Sequence, residues 1–184
     1  MRGKKENMVT STVRTARLDD AEALARIHTV GWQQGYANLM PADFLAQRVV
    51  APASWTRSLG EPPPRSVVLV AEVNALPVGF AVLGPAGEPA AATDTTLAQL
   101  YAIYVLPEHW DTGVGFGLHQ AGLEALAALG FTEAVLWVLV GNARAIDFYL
   151  RQGWLDDEAE EDSDVGGLVV RVRRYRRAVS GPGR

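Results

Sequence analysis

The stretch Trp110-Asp111-Thr112-Gly113-Val114-Gly115-Phe116-Gly117 is the part of this chain best suited to grip a ligand through its backbone. Glycines at alternate positions permit a tight turn and let the main chain come close to a bound group. If a helix begins here, its first N–H groups have no partner four residues back and can donate to phosphate oxygens. The spacing therefore suits a pyrophosphate cradle. Taken alone, it also suits a helix start whose glycines serve only turn geometry. A dinucleotide-binding fold would want an acidic residue at the end of the next strand to hold a ribose. That strand ends Val140-Gly141-Asn142, and Glu133 falls at its beginning, the wrong end for a ribose.

The remaining inventory removes several chemistries. With no cysteine in the chain, disulfides, thiolate nucleophiles and zinc ribbons are excluded. His28, His109 and His119 show no metal-ligand spacing, so no metal is expected. A net charge of −4 runs against a general nucleic-acid binder, which usually carries a basic excess.

The elements that must position the loop follow from pattern and composition. At 184 residues, 48% apolar and 21% charged, the chain reads as one soluble globular domain over residues 11–178, with flexible tails at 1–10 and 179–184. No apolar run approaches the ~20 residues that span a bilayer. The basic start Met1 to Met8 is not followed by the apolar stretch of a signal peptide, so a cytoplasmic protein without a membrane partner is expected.

Val13 to Arg17 reads as a short strand, and Asp19 with Glu22 as the capped start of a helix reaching about Trp32. Pro41 suits the first turn of a second helix carrying Phe44 and Leu45. Ser66 to Val73 and Val78 to Leu83 form an antiparallel hairpin across Asn74-Ala75-Leu76-Pro77, and residues 84–96 read as a loop. Leu97 to Leu106 is a strand. Gly113 to Leu129 has helical spacing and stops at Gly130. The seven apolar residues Ala134 to Val140 suit a central strand covered on both faces. Ala143 to Gln152 is a helix ending at Gly153, and Gly167 to Tyr175 alternates as a last antiparallel strand. The class is mixed α/β.

With Gln99-Leu100-Tyr101-Ala102-Ile103-Tyr104-Val105-Leu106-Pro107 before the loop and Asn142-Ala143-Arg144-Ala145-Ile146-Asp147-Phe148-Tyr149-Leu150-Arg151-Gln152-Gly153-Trp154 after it, the chain resembles the GNAT superfamily of acyl-CoA-dependent N-acetyltransferases. The resemblance covers roughly Val13 to Tyr175. It implies a GNAT fold, a mixed central β-sheet splayed between two neighbouring strands and flanked by helices, and acetyl-CoA as co-substrate. Many members pair, so a homodimer is among the expectations. The usual Arg or Gln at the start of the loop is replaced by Trp110, which removes one polar contact while leaving backbone donors intact.

By the same resemblance, Asp111, Thr112, Gly113, Gly115 and Phe116 form the cradle, Asn142 hydrogen-bonds the cofactor, and backbone groups of Ile103 and Val105 pair with the pantetheine arm. A backbone N–H on that strand would stabilise the oxyanion as an amine attacks the thioester. Tyr149 is the candidate general acid, because a phenol of pKa ~10 can protonate a leaving thiolate of pKa ~8.5. It also reads as a helix aromatic packed on the sheet, just as Asn142 reads as an N-cap. Trp32 and Tyr36 are candidates for walling the acceptor pocket, and aromatics at that spacing also serve as core. Glu72 is one candidate base, against its reading as a solvated strand-face glutamate.

Seven acids fall within Asp156 to Asp164 and five arginines within Arg171 to Arg177. The acidic run reads as a solvated hairpin loop, with steering of a cationic acceptor as the alternative. The function expected is acetyl transfer to a primary amine of a small molecule, amino acid or peptide. Acetylation of protein N-termini or lysines is the competing activity, and a non-catalytic acyl-CoA-binding regulatory domain is the alternative of another class.

Overall fold

The structure, a computed structural model, describes residues 10–87 and 95–179. The expected tails, apart from Thr10 and Val179, and the middle of the expected 84–96 loop lie outside the described residues. Among the described residues seven strands form one mixed sheet in the order β1-β2-β3-β4-β5-β7-β6: β1 (Thr12–Thr15), β2 (Val67–Val73), β3 (Leu76–Pro85), β4 (Leu97–Val105), β5 (Glu133–Leu139), β6 (Leu155–Asp164) and β7 (Val169–Ala178). The helices are α1 (Ala21–Gly35), α2 (Ala42–Ala46), α3 (Pro52–Gly60), α4 (Val114–Ala128) and α5 (Ala143–Arg151). Two compact units are present, one within Met1–Val82 and Ala102–Leu123, the other within Leu83–Tyr101 and Glu124–Arg184.

In the first unit β1 pairs antiparallel with β2, Thr12 opposite Glu72 and Thr15 opposite Leu69. The expected hairpin forms with a two-residue turn, Asn74 at φ 52° and Ala75 at φ 62°. Two successive left-handed residues match the right-handed twist of the strands they join, at the cost of placing Ala75 where L-residues are strained. The start of α1 differs from the expected Asp19–Glu22 cap. A 3-10 turn at Leu18–Asp20 comes first, and Asp20 Oδ2 accepts the backbone N–H of Arg17 at 2.7 Å. Asp20 is preferred because its carboxylate also receives Arg14, at 2.7 Å and 2.8 Å. The expectations missed α3, although Pro52 at its first position is a recognisable start signal.

The second unit holds the buried strand β5, with β4 on one side and β7 on the other. Its parallel ladder with β4 runs over Leu97–Gln99 against Glu133–Val135. Its antiparallel ladder with β7 runs the full length, from Glu133↔Ala178 to Leu139↔Val172. Ala134, Val135 and Leu136 are buried, as the seven-residue apolar run predicts. Gly130 ends α4 at φ 82°.

The acidic run is not a loop. It is β6, paired antiparallel with β7, and the reason is cross-strand charge. Arg171 meets Asp162 at 2.9 Å, Arg173 reaches Asp156 at 3.0 Å and also Glu160, and Arg174 meets Asp157 at 2.7 Å. Asp and Glu are poor strand formers, but opposite charges facing each other across a ladder add a few tenths of a kcal/mol to about 1 kcal/mol per pair. The register shifts between Asp156 and Glu160, where Glu158 takes φ 63°, a bulge that bends the strand.

Candidate active site

In the first unit β4 delivers the chain to the glycine loop. Leu106 N donates to Val78 O at 2.9 Å, a 3-10 turn follows at Pro107–His109, and Trp110 N donates to Pro107 O at 3.1 Å. The Thr112 hydroxyl donates to His109 O at 2.7 Å, so its side chain stabilises the loop itself. Asp111 is exposed with φ 59°, and Gly113 has φ 91°. These two left-handed residues turn the chain into α4. A Cβ built on Gly113 would meet nothing within 4 Å, so the space over the turn is open.

The first backbone bond of α4 runs from Gly117 N to Gly113 O at 2.9 Å. The N–H groups of Val114, Gly115 and Phe116 therefore have no acceptor four residues back inside the helix. Gly115 is half-buried and Phe116 is 51% exposed. The residues present suit a diphosphate: main-chain donors at a helix start, helix dipole toward the ligand, and open space above.

Ile103 and Val105 lie near the end of β4, both half-buried. Alternation along the strand places their side chains opposite Tyr104. Gly79 of β3 lets the two strands close up there, since a Cβ on it would stand 2.9 Å from Tyr104 O and 3.0 Å from Val105 Cγ2. Where the polar loop residue was expected, the Trp110 indole Nε1–H donates to Val105 O at 2.7 Å.

On the Tyr104 side lies an aromatic layer. Trp32 on α1 and Tyr36, which caps that helix's C-terminal end, have ring centroids 5.0 Å apart, and the Tyr36 and Tyr104 hydroxyls lie 3.5 Å from each other. Burial pushes the Tyr36 phenol upward, opposed by its contact with Tyr104. His28, one turn before Trp32, packs against Tyr104 at 5.2 Å, Phe80 at 5.6 Å and Trp55 at 5.8 Å. Its Nδ1 and the Trp55 Nε1 are buried without hydrogen-bond partners, and desolvation holds the imidazole pKa below its ordinary value. The guanidinium of Arg48 lies 4.4 Å from the Phe44 ring centroid and 5.4 Å from that of Trp32. Sequence reasoning left out Tyr104, Trp55 and Arg48. The i, i+4, i+8 spacing of His28, Trp32 and Tyr36 is the signal that their helix face is shared.

Glu72 is neither a solvated strand-face residue nor a base open to a substrate. Its carboxylate accepts Arg14 Nε at 3.0 Å and a terminal guanidinium nitrogen at 2.6 Å, in the triad with Asp20. Asp20 is held below the usual carboxylate range chiefly by Arg14, against the opposing effect of burial.

In the second unit Asn142 caps α5, its side-chain oxygen accepting Ala145 N at 3.2 Å. Tyr149 is buried, 5.2 Å from Phe148 and 6.0 Å from Trp154 between ring centroids, and its carbonyl accepts Trp154 N at 3.1 Å. The N-cap and packed-aromatic readings of these two residues therefore hold. Among the described residues no cluster of three or more His, Asp or Glu side chains is placed to hold a metal ion. No helix there is long and apolar enough to cross a membrane.

A sequence profile of the Acetyltransferase (GNAT) family matches residues 22–154. The chain is 31% identical to the uncharacterized N-acetyltransferase YuaI of Bacillus subtilis over 164 residues, covering 87% of this chain and 88% of that protein. Among solved structures, the PaiA N-acetyltransferase of Thermoplasma acidophilum in complex with coenzyme A matches with a TM-score of 0.72 at 18% identity, over 90% of this chain and 98% of that one. YncA of Salmonella typhimurium, solved with acetyl-CoA, matches with a TM-score of 0.71 at 18% identity, over 92% of this chain and 94% of that one.

Proposed function

The chain belongs to the GNAT acetyltransferase family and is an acyl-CoA-dependent N-acetyltransferase, and from that premise we propose that it moves the acetyl group of acetyl-CoA directly onto a primary amine of a small molecule, amino acid or peptide. Residues 11–178 are the transferase domain in this reading, in a cytoplasmic protein. The observation that carries it is the loop before α4, where Gly113 leaves open space and three successive N–H groups lack helical acceptors.

Each residue then has a task. Main-chain donors of Asp111, Thr112, Gly113, Gly115 and Phe116 hold the diphosphate. Asn142 supplies a side-chain amide to the cofactor while its oxygen caps α5. Backbone groups of Ile103 and Val105 pair with the pantetheine arm, and one N–H stabilises the oxyanion formed when the amine attacks. Tyr149 protonates the departing thiolate. Its support is its position in the Asn142–Trp154 run and its burial, which keeps water from competing for the proton. Trp32 and Tyr36, joined by Tyr104, wall the acceptor. The amine reaches its neutral form through water rather than through Glu72, whose carboxylate is engaged by Arg14.

The test has two stages. Acetyl-CoA in excess raises the melting temperature of the purified protein, since a ligand of the folded state stabilises it by mass action; an unmoved melting curve overturns the binding claim. Release of free thiol against a panel of small amines, amino acids and peptides then identifies the acceptor class. Tyr149→Phe lowers kcat by about 100-fold or more while acetyl-CoA binding persists. Turnover equal to the wild type removes Tyr149 from the chemistry.

A further inference from the structure

Between the last residue of β4 and the turn into α4 the chain makes a short detour through the 3-10 turn Pro107–His109. Two side chains tie that detour down. Thr112 Oγ1 donates to His109 O at 2.7 Å, and Trp110 Nε1 donates back across five residues to Val105 O at 2.7 Å. The indole bond is the longer-range of the two, and it joins the strand end to the residue directly before Asp111. Asp111 and Gly113 both hold left-handed conformations, states a free loop would leave readily. Their geometry sets where the N–H groups of the cradle point.

We propose that Trp110 is a positioning residue for the cofactor: its indole straps the loop to Val105 and pre-forms the diphosphate cradle, rather than touching the phosphates itself. The inference rests on the acetyl-CoA reading. Ordering a loop in advance lowers the entropy lost on binding, so the strap compensates in affinity for the polar loop side chain that this sequence lacks. It leaves the pantetheine pairing intact, because a carbonyl has two lone pairs and Val105 O can accept a second donor. It also predicts a specific division of labour, in which the strap matters to the diphosphate and not to the thioester.

Trp110→Phe keeps an aromatic ring and removes the N–H. Calorimetry with the variant gives a Kd for acetyl-CoA roughly three- to tenfold above the wild type, the factor expected for one hydrogen bond. Its kcat is unchanged. Acetyl-pantetheine, which has the same thioester arm and no diphosphate, has the same KM with both proteins. An unchanged Kd for acetyl-CoA, an equal loss for both thioesters, or a fall in kcat with KM unmoved overturns the assignment. A wild type that fails to bind acetyl-CoA overturns the acetyl-CoA reading along with it, so the two failures are separable. Should the variant not fold, hydrogen exchange of the wild-type Trp110 indole read by NMR decides. Slow exchange with and without acetyl-CoA supports the strap, and exchange at the rate of an exposed indole, or protection lost on binding, overturns it.

Discussion

Gly31 of α1 rests directly on the ring of Tyr104 in β4: a Cβ at that position would stand 2.5 Å from Tyr104 Cδ1 and 3.0 Å from Cγ. The absence of a side chain thus lets the helix seat on the strand residue whose hydroxyl meets that of Tyr36.

Gly31→Ala sets two effects against each other. Alanine improves helix propensity by up to about 1 kcal/mol, whereas forcing a methyl into an occupied site costs typically 1–3 kcal/mol. The clash is with an aromatic ring held between Phe80 and His28, so it wins. Urea unfolding shows a lower midpoint for Gly31→Ala with unchanged slope. A rise in the midpoint would show that the ring yields freely.

Arg14 joins Asp20 and Glu72, and Asp20 is only 6% exposed. Removing the guanidinium strands a nearly buried carboxylate, so Arg14→Ala loses about 3 kcal/mol and its Tm falls by roughly 10 °C. The Asp20 pKa is depressed in the folded state. Its contribution is therefore fully present above the unfolded value of about 4 and is lost as pH falls through the lower folded value. The gap between wild type and variant, followed by denaturant titration, narrows as pH falls into that acid window.

His28 carries the opposite charge chemistry with the same sign of pH dependence. Its folded pKa is lowered by desolvation, so as pH drops below ~6.5 the unfolded chain takes up a proton that the folded imidazole refuses. Stability is complete above that value and declines below it, with a limiting slope of about 1.4 kcal/mol per pH unit. His28→Phe removes this component. The difference between wild-type and variant unfolding free energies then changes as pH falls below about 6.5, and a flat difference would show that the folded imidazole takes up its proton as readily as the unfolded one.

How much of this was legible depends on the range of the interaction. The helix from Val114 to Ala128 followed from local glycines and apolar spacing, and β5 from seven consecutive apolar residues. The acidic stretch 156–164 misled because its own composition disfavours a strand. The arginines that make it one lie across a ladder, Asp162 opposite Arg171 and Glu160 opposite Arg173. Asp20 displaced Asp19 as the helix-start residue for a similar reason, since its partner Arg14 and the further carboxylate of Glu72 lie on β1 and β2.

The sequence by itself determined most of the strands and helices, though not α3 or β6, together with the glycine turn into α4 and the run Asn142–Trp154, because backbone conformation and helix or strand periodicity are set largely by neighbours along the chain. Only the tertiary structure decided what polar side chains do. Glu72 passed from candidate base to ion-pair partner, Trp110 from a missing contact to a hydrogen bond on Val105, and Tyr104 from a strand residue to the partner of Tyr36. A hydrogen bond or ion pair is specified by positions in space, and residues such as Arg14 and Glu72, 58 apart in the chain, acquire those positions only when the sheet has formed.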